Sequence, residues 1–194
     1  EDGSGFSHGG DKVAVIHITG VIRDGGDEPS LFAAASPGAQ EITAQLRQAG
    51  KDRDVKAVLI RINSPGGSAA ASQAIYSEIG RLRSKHKKPI VASMGDVAAS
   101  GGYYIAAAAD TIVANPATLT GSIGVFMESI NLSGLAQKYG VKGDTIVSGP
   151  NKDGFNPLRP MRPDERQIFQ SLVNDVYDQF VSDVAKGRKK LNKS

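Results

Sequence analysis

Of the 194 residues, 40% are hydrophobic and 22% charged, the balance of one ordinary globular domain and not of a disordered chain. Lys and Arg number 23 against 20 Asp and Glu, and a net charge of +3, with only short clusters at 85–88 and 188–190, is too weak a field for a nucleic-acid surface. There is no cysteine, which excludes disulfides, thiolate metal sites and a cysteine nucleophile, and no apolar run reaches the roughly 18 residues of a membrane helix.

Residues 1–11 (EDGSGFSHGGD) are rich in Gly, Ser and Asp and read as a flexible lead-in to a single domain over 12–194. KVAVIHITG, starting at Lys12, reads as the first strand. Residues 24–38 (DGGDEPSLFAAASPG) lack any period and predict a long mobile loop, a kind that is often functional. A helix is expected over 39–49. VKAVLIRI (55–62) is apolar or β-branched at nearly every position, as in a strand buried on both faces. NSPGGS closes it, and the next helix carries Ile75, Ile79 and Leu82 on one face.

PIVASMG, opened by Pro89, is a further buried strand, and a helix begins near Ser100 (SGGYYIAAAA). TIVA is a short strand and TLTGSIGV a Gly-rich turn. A short helix over 132–139 leads to an expected strand, DTIVS (144–148), and then to the irregular GPNKDGFNPLRPMRP. Pro163 suits the first position of a last helix, where its missing N–H costs nothing. Ile168, Leu172, Val176 and Phe180 mark that helix's expected buried stripe, with Phe169, Val173, Tyr177 and Val184 beside it. Strands alternating with helices imply β-α-β units, a mostly parallel sheet and the α/β class.

The three histidines offer little chemistry. His8 is in the lead-in, His17 is in the first strand and His86 is in a charged run. None follows the Gly-rich turns, so a Ser-His-Asp triad is hard to assemble. No His, Asp and Glu cluster has ligand spacing, and neither a metal nor a cofactor is expected.

The glycine pairs say more. Asn63-Ser64-Pro65-Gly66-Gly67 ends one buried strand, and Ala99-Ser100-Gly101-Gly102 follows another. The C-terminal ends of parallel strands share one edge, where ligands gather. If the two strands are neighbours, both turns aim backbone N–H groups from helix starts into one crevice. Two such donors make an oxyanion hole, and a bare glycine lets a carbonyl come close. Each pair also reads as a plain turn or an anion cradle, although neither a P-loop nor a dinucleotide fingerprint is present.

Ser100 lies at the mouth of that crevice and needs a base to become a nucleophile. Without His the base must be Lys, Asp or Glu, and a lysine serves only when desolvated and neutral. Lys152, in a Pro and Gly stretch directly after an apolar strand, where its backbone can be held over the crevice, is the candidate lysine, and a solvated surface lysine is the competing reading of it. Lys85, Lys87 and Lys88 lie in a polar run and are expected to face water. Ser84-Lys85-His86-Lys87 fits S-x-x-K, but without S-D-N or K-T-G it is a coincidence. Thr120 breaks a G-x-S-x-G pattern around Ser122.

NSPGGS, DVAASGGYYIAAAAD, TGSIGV and SGPNKD with its Pro-rich sequel, in this order, resemble the signal peptide peptidase A family. Those are serine-lysine peptidases related in fold to the Clp protease and crotonase superfamily, and the likeness runs from about Lys12 to the end. The resemblance implies an α/β, Clp protease/crotonase-like fold with a C-terminal helix. It implies Ser100 as nucleophile, Lys152 as general base and Ser122 as a hydrogen-bonding partner of the lysine. The N–H groups of Gly67 and Gly101 become the oxyanion hole, with Gly66 shaping the turn.

The implied substrates are apolar extended peptides such as signal-peptide remnants, with no cofactor and no nucleic-acid partner. A homo-oligomeric ring or dome is also implied, with the last helix or the 31–35 loop as candidate contacts. A membrane anchor and a further C-terminal segment are expected outside this sequence. The catalytic domain is then extracytoplasmic and the present stretch a soluble fragment. The same glycine turns would also serve a crotonase-like acyl-CoA-binding protein or a catalytically inactive peptide-binding scaffold.

Overall fold

The computed structural model describes residues 10–26 and 37–188. Most of the expected lead-in (1–9), most of the expected mobile loop with its 31–35 contact (27–36) and the basic end (189–194) lie outside the described residues. The chain divides into two compact units, one of 1–124 with 180–194 and the other of 125–179.

A parallel sheet organises the first unit. Its strands are β1 (Lys12–Ile22), β2 (Val55–Gly67), β3 (Ile90–Ala99), β4 (Thr111–Val113) and β5 (Leu119–Gly121). The order is β1-β2-β3-β4, and β5 pairs with β3 beyond β4, so that Ala99 lies opposite Gly121. The helices are α1 (Ala39–Lys51), α2 (Ala69–His86) and α3 (Gly101–Ala107), with the end of α5 (Pro163–Gly187). The expected α/β class with a parallel sheet and a C-terminal helix is what forms.

The core is branched aliphatic. Ile16, Ile18, Val58, Ile60, Ile62 and Ile90 of the strands are buried against Leu46 of α1 and Ile75, Ile79 and Leu82 of α2. Ser68 caps α2, its side chain accepting from the Ala71 N–H at 3.3 Å.

Several expectations are corrected by the fold. β2 is not buried on both faces: Val58, Ile60, Ile62 and Ser64 are buried, while Leu59 between them is half-buried and Arg61 and Asn63 are exposed. On β1, Val13, Val15 and Val21 are likewise exposed, because the helices of this unit cover one face of the strand pair. The Gly-rich turn at TLTGSIGV begins as strand β5, because its backbone completes the ladder beside Val97–Ala99. Lys88 does not face water. Its Nζ donates at 2.6 Å to the carbonyls of Ala49 and Asp52, which the end of α1 leaves without helical partners. His86 is half-buried, packed where Gly50 of α1 leaves room for its ring.

The end of α5 ties down α3. Phe180 and Val184 are buried, and the Phe180 ring stacks on Tyr104 with centroids 4.6 Å apart. The Tyr104 hydroxyl donates to Asp183 Oδ2 at 2.5 Å, and the Tyr76 hydroxyl to the Asp183 carbonyl at 3.0 Å. Burial first, and then the Asp183 carboxylate, push the Tyr76 hydroxyl above its ordinary value, so it stays a neutral donor.

The second unit holds α4 (Ser133–Lys138), irregular chain and the first part of α5. The expected strand at 144–148 does not form, and Ile146 is fully exposed. The expected α5 stripe is buried only at its end. Ile168, Leu172, Val176 and Tyr177 are 39–49% exposed, because α4 is two turns long and buries no residue. No helix of the described residues is long and apolar enough to cross a membrane.

Candidate active site

The site begins where β3 becomes α3. The Ser100 N–H donates to the Gly121 carbonyl at 2.8 Å, the last rung of the sheet. The Ser100 carbonyl accepts the Tyr104 N–H at 2.9 Å, the first rung of the helix. Between these bonds the serine is forced to φ 51° and ψ −120°, a left-handed conformation that costs a non-glycine residue about 1–3 kcal/mol. A sharp strand-to-helix turn of this kind lifts a hydroxyl clear of the sheet edge, and strain there is typical of nucleophile sites. Buried neighbours hold it: Ala99, Gly101, Gly102 and Tyr104 are all buried, whereas Ser100 is half-exposed.

The two glycine turns meet here, as neighbouring β2 and β3 allow. Gly66 has φ 104°, and a methyl group on it would lie 2.8 Å from both the Gly101 nitrogen and Ser100 Cβ. A methyl group on Gly101 would overlap Ser72 Oγ and lie 3.4 Å from the Gly67 nitrogen. Ser64 Oγ secures the β2 turn by donating to the Gly20 carbonyl at 2.6 Å and accepting the Gly66 N–H at 3.1 Å. Ser100, Gly66, Gly67 and Gly101 therefore form one cluster of a half-exposed serine and close-packed backbone. Gly66→Ala will clash there and carry a disfavoured φ. We expect a loss of about 2–4 kcal/mol, read as a lowered midpoint in urea unfolding.

Ser122 is exposed at φ 53°, one residue after the Gly121 carbonyl that holds Ser100. Lys152 belongs to the second unit and is exposed, in a run of turns where its N–H donates to the Gly149 carbonyl at 3.2 Å. His17 is exposed on β1, opposite Arg61 of β2. Among the described residues no group of three or more His, Asp or Glu is arranged to hold a metal ion.

Two sets of residues escaped the sequence reading. One is Ser72, whose Oγ lies where a methyl group on Gly101 would fall, and a serine inside α2 gave no spacing signal. The other set is an ionic cluster next to Lys152. Arg159 bonds Asp153 through Nε (2.9 Å) and Nη2 (2.8 Å), and Glu165 through Nη1 (2.8 Å) and Nη2 (2.5 Å). Arg162 adds a second guanidinium, 2.8 Å from Glu165 Oε1.

Chiefly through the hydrogen bond from Arg159, the carboxyls of Asp153 and Glu165 are both lowered to about 2. Depressed carboxyls stabilise the fold above their ordinary range, and that contribution is lost as pH falls through about 2. Arg159→Leu will move the acid transition of the chain, followed by circular dichroism, up by about one to two pH units.

A parallel α/β sheet with a serine at the turn after its third strand, against a Gly-Gly turn of the second, defines the Clp protease-like class. The description of that family, Clp protease, matches residues 34–119. Peptidase family S49 matches residues 82–194, more than half of the sequence, and the chain belongs to that family. Among its relatives, an Enterococcus faecium protein named "Putative signal peptide peptidase SppA" is 41% identical over 177 residues, 91% of this chain and 51% of that protein. Protease 4 of Haemophilus influenzae is 40% identical over 91% of this chain and 28% of its own length. The chloroplastic serine protease SPPA of Arabidopsis thaliana is 38% identical over 95% of this chain and 27% of its own length. The chain thus spans about half, or about a quarter, of the relatives it matches.

Proposed function

We propose that the chain is the catalytic part of a serine peptidase that uses Ser100 as nucleophile and Lys152 as general base. The observation that carries this reading is the strained, half-exposed Ser100 set against the Gly66-Gly67 turn, in a chain of peptidase family S49. Ser100 Oγ attacks the scissile carbonyl carbon while Lys152 Nζ takes its proton. The N–H groups of Gly67 and Gly101 receive the oxyanion, and Ser122 hydrogen-bonds the lysine. The C–N bond then breaks, and the departing amine leaves with the proton from Lys152. Water, losing a proton to the freed lysine, cleaves the acyl-enzyme.

The substrate on this reading is an extended apolar peptide, such as a signal-peptide remnant. A relative whose printed name is a signal peptide peptidase supports this, as does the outer edge of β1, which pairs with no strand among the described residues and has Val13, Val15 and Val21 exposed. The whole protein is then held at a membrane with this part outside the cytoplasm. Lys152 is exposed in the single chain, so its desolvation comes from bound peptide and from neighbouring copies in a homo-oligomer. Exposed Phe126, Ile130 and Tyr139 are suited to such contacts.

The test is pre-steady-state hydrolysis of an apolar peptide ester. A burst of up to one equivalent per chain, with a steady rate that climbs with pH on its alkaline side, is expected. Binding of an acyl-CoA thioester with no burst would replace this reading with the acyl-CoA one.

A further inference from the structure

We propose that Arg159 and Arg162, both tied to the buried Glu165, are positioning residues that hold the 150–153 turn and thereby aim Lys152. The inference rests on the reading of Lys152 as general base and extends it to residues that touch neither substrate nor the reacting atoms.

The turn needs such a device. Residues 141–156 contain neither strand nor helix. Around Lys152 the backbone bonds among the described residues are three long turn bonds: Lys152 N–H to Gly149 at 3.2 Å, Gly154 N–H to Asn151 at 3.3 Å and Asn156 N–H to Asp153 at 3.2 Å. On their own these leave the segment free to open locally.

Side chains supply the rest, and they grip both neighbours of the lysine. On one side the Arg162 guanidinium donates to the Pro150 carbonyl and to Asn151 Oδ1, the latter at 3.0 Å. On the other side Arg159 takes the Asp153 carboxylate in a two-pronged grip and also donates to the Asp153 carbonyl at 3.2 Å. Positions 150, 151 and 153 are each held by an arginine, and the exposed Lys152 lies between them.

The two arginines share one anchor. Glu165 is 1% exposed in the first turn of α5. Its carboxylate accepts from Arg159 twice and from the Arg162 N–H at 2.9 Å, and it forms an ion pair with Arg162 Nη2 at 2.8 Å. The far end of the turn is seated on the same helix, with the Phe155 ring 4.1 Å from Phe169, centroid to centroid, and Phe155 itself at φ 62°. Ionic groups withdrawn from water add little net stability compared with apolar packing of equal volume. What the planar, five-donor forks of two arginines provide is geometry, which a lysine's point charge does not reproduce.

The experiment uses Arg162→Gln and Arg162→Lys in the 194-residue chain. Arg162 is the more exposed of the pair, so its loss leaves the Arg159–Glu165 contact in place. Titration with a fluorophosphonate counts competent Ser100 sites, and a peptide ester gives kcat, KM and the pH profile. For Arg162→Gln we expect an undiminished number of sites and a kcat lower by about 10- to 100-fold. KM should stay within about twofold, and the alkaline limb should move to higher pH. Arg162→Lys should recover part of kcat.

A loss of sites in proportion to kcat, with an unmoved pH profile, would show a merely structural role and overturn the proposal. An unchanged kcat in Arg162→Gln while Lys152→Ala is inactive would overturn it and leave the base assignment standing. Full activity in Lys152→Ala would remove both.

Discussion

Ser100→Ala will fold like the parent chain and hydrolyse a peptide ester at least about 10³-fold more slowly. The fold survives because the backbone bonds that build the turn, Ser100 N–H to Gly121 and Tyr104 N–H to Ser100, do not involve the hydroxyl. Tyr104, stacked on Phe180 and bonded to Asp183, holds α3 in place from the other side. The activity goes because the Ser72 and Ser64 hydroxyls beside that turn are held by other bonds. Ser72 Oγ is committed to the Ser68 carbonyl at 2.9 Å, and Ser64 Oγ to Gly20. Residual turnover reflects what the backbone N–H groups do for a bound carbonyl without a nucleophile. Circular dichroism and urea unfolding check the first half, and steady-state rates the second.

Lys152→Ala will also fold normally, since its side chain is exposed and the 150–153 turn is gripped by Arg159 and Arg162 through its neighbours. We expect kcat to drop by about 10²–10⁴-fold, the usual worth of a general base. The residual rate should lose its alkaline limb, because no amine remains to shed a proton. The measurement is a pH–rate profile for parent and variant on the same ester. Lys152→Arg should not rescue, since a guanidinium stays protonated at every accessible pH.

The sheet and the helices around it were legible because each step of that sequence is locally consistent. VKAVLIRI and PIVASMG are β-branched and apolar, Ile75, Ile79 and Leu82 fall at helical spacing, and Gly-rich turns punctuate them. The juxtaposition of Gly66-Gly67 with Ser100-Gly101 followed once β2 and β3 were read as neighbours. Burial was less legible. An exposed Val13 or Leu172 carries the same pattern as a buried Ile16 or Phe180, and periodicity reports which residues share a face, not whether anything covers it. DTIVS has strand composition, yet a strand exists only with a partner to complete its hydrogen bonds.

In the site, the strain at Ser100 was hidden because it arises from two bonds made to different elements. The Asp153–Arg159–Glu165 cluster was hidden for a related reason. Asp153 and Arg159 lie in a Pro-rich stretch without a period and Glu165 in the helix after it, and only the fold of that stretch brings the charges together. Lys152 stood out by its place after an apolar segment, whereas the arginines that hold its neighbours gave no spacing signal.

The central claim is that Ser100 is the nucleophile, and the most direct measurement is mass spectrometry of the chain after reaction with a fluorophosphonate. The account predicts one adduct per chain, on Ser100, formed far more slowly in Lys152→Ala. An adduct on Ser122, or none on a preparation that hydrolyses the peptide ester, would contradict it.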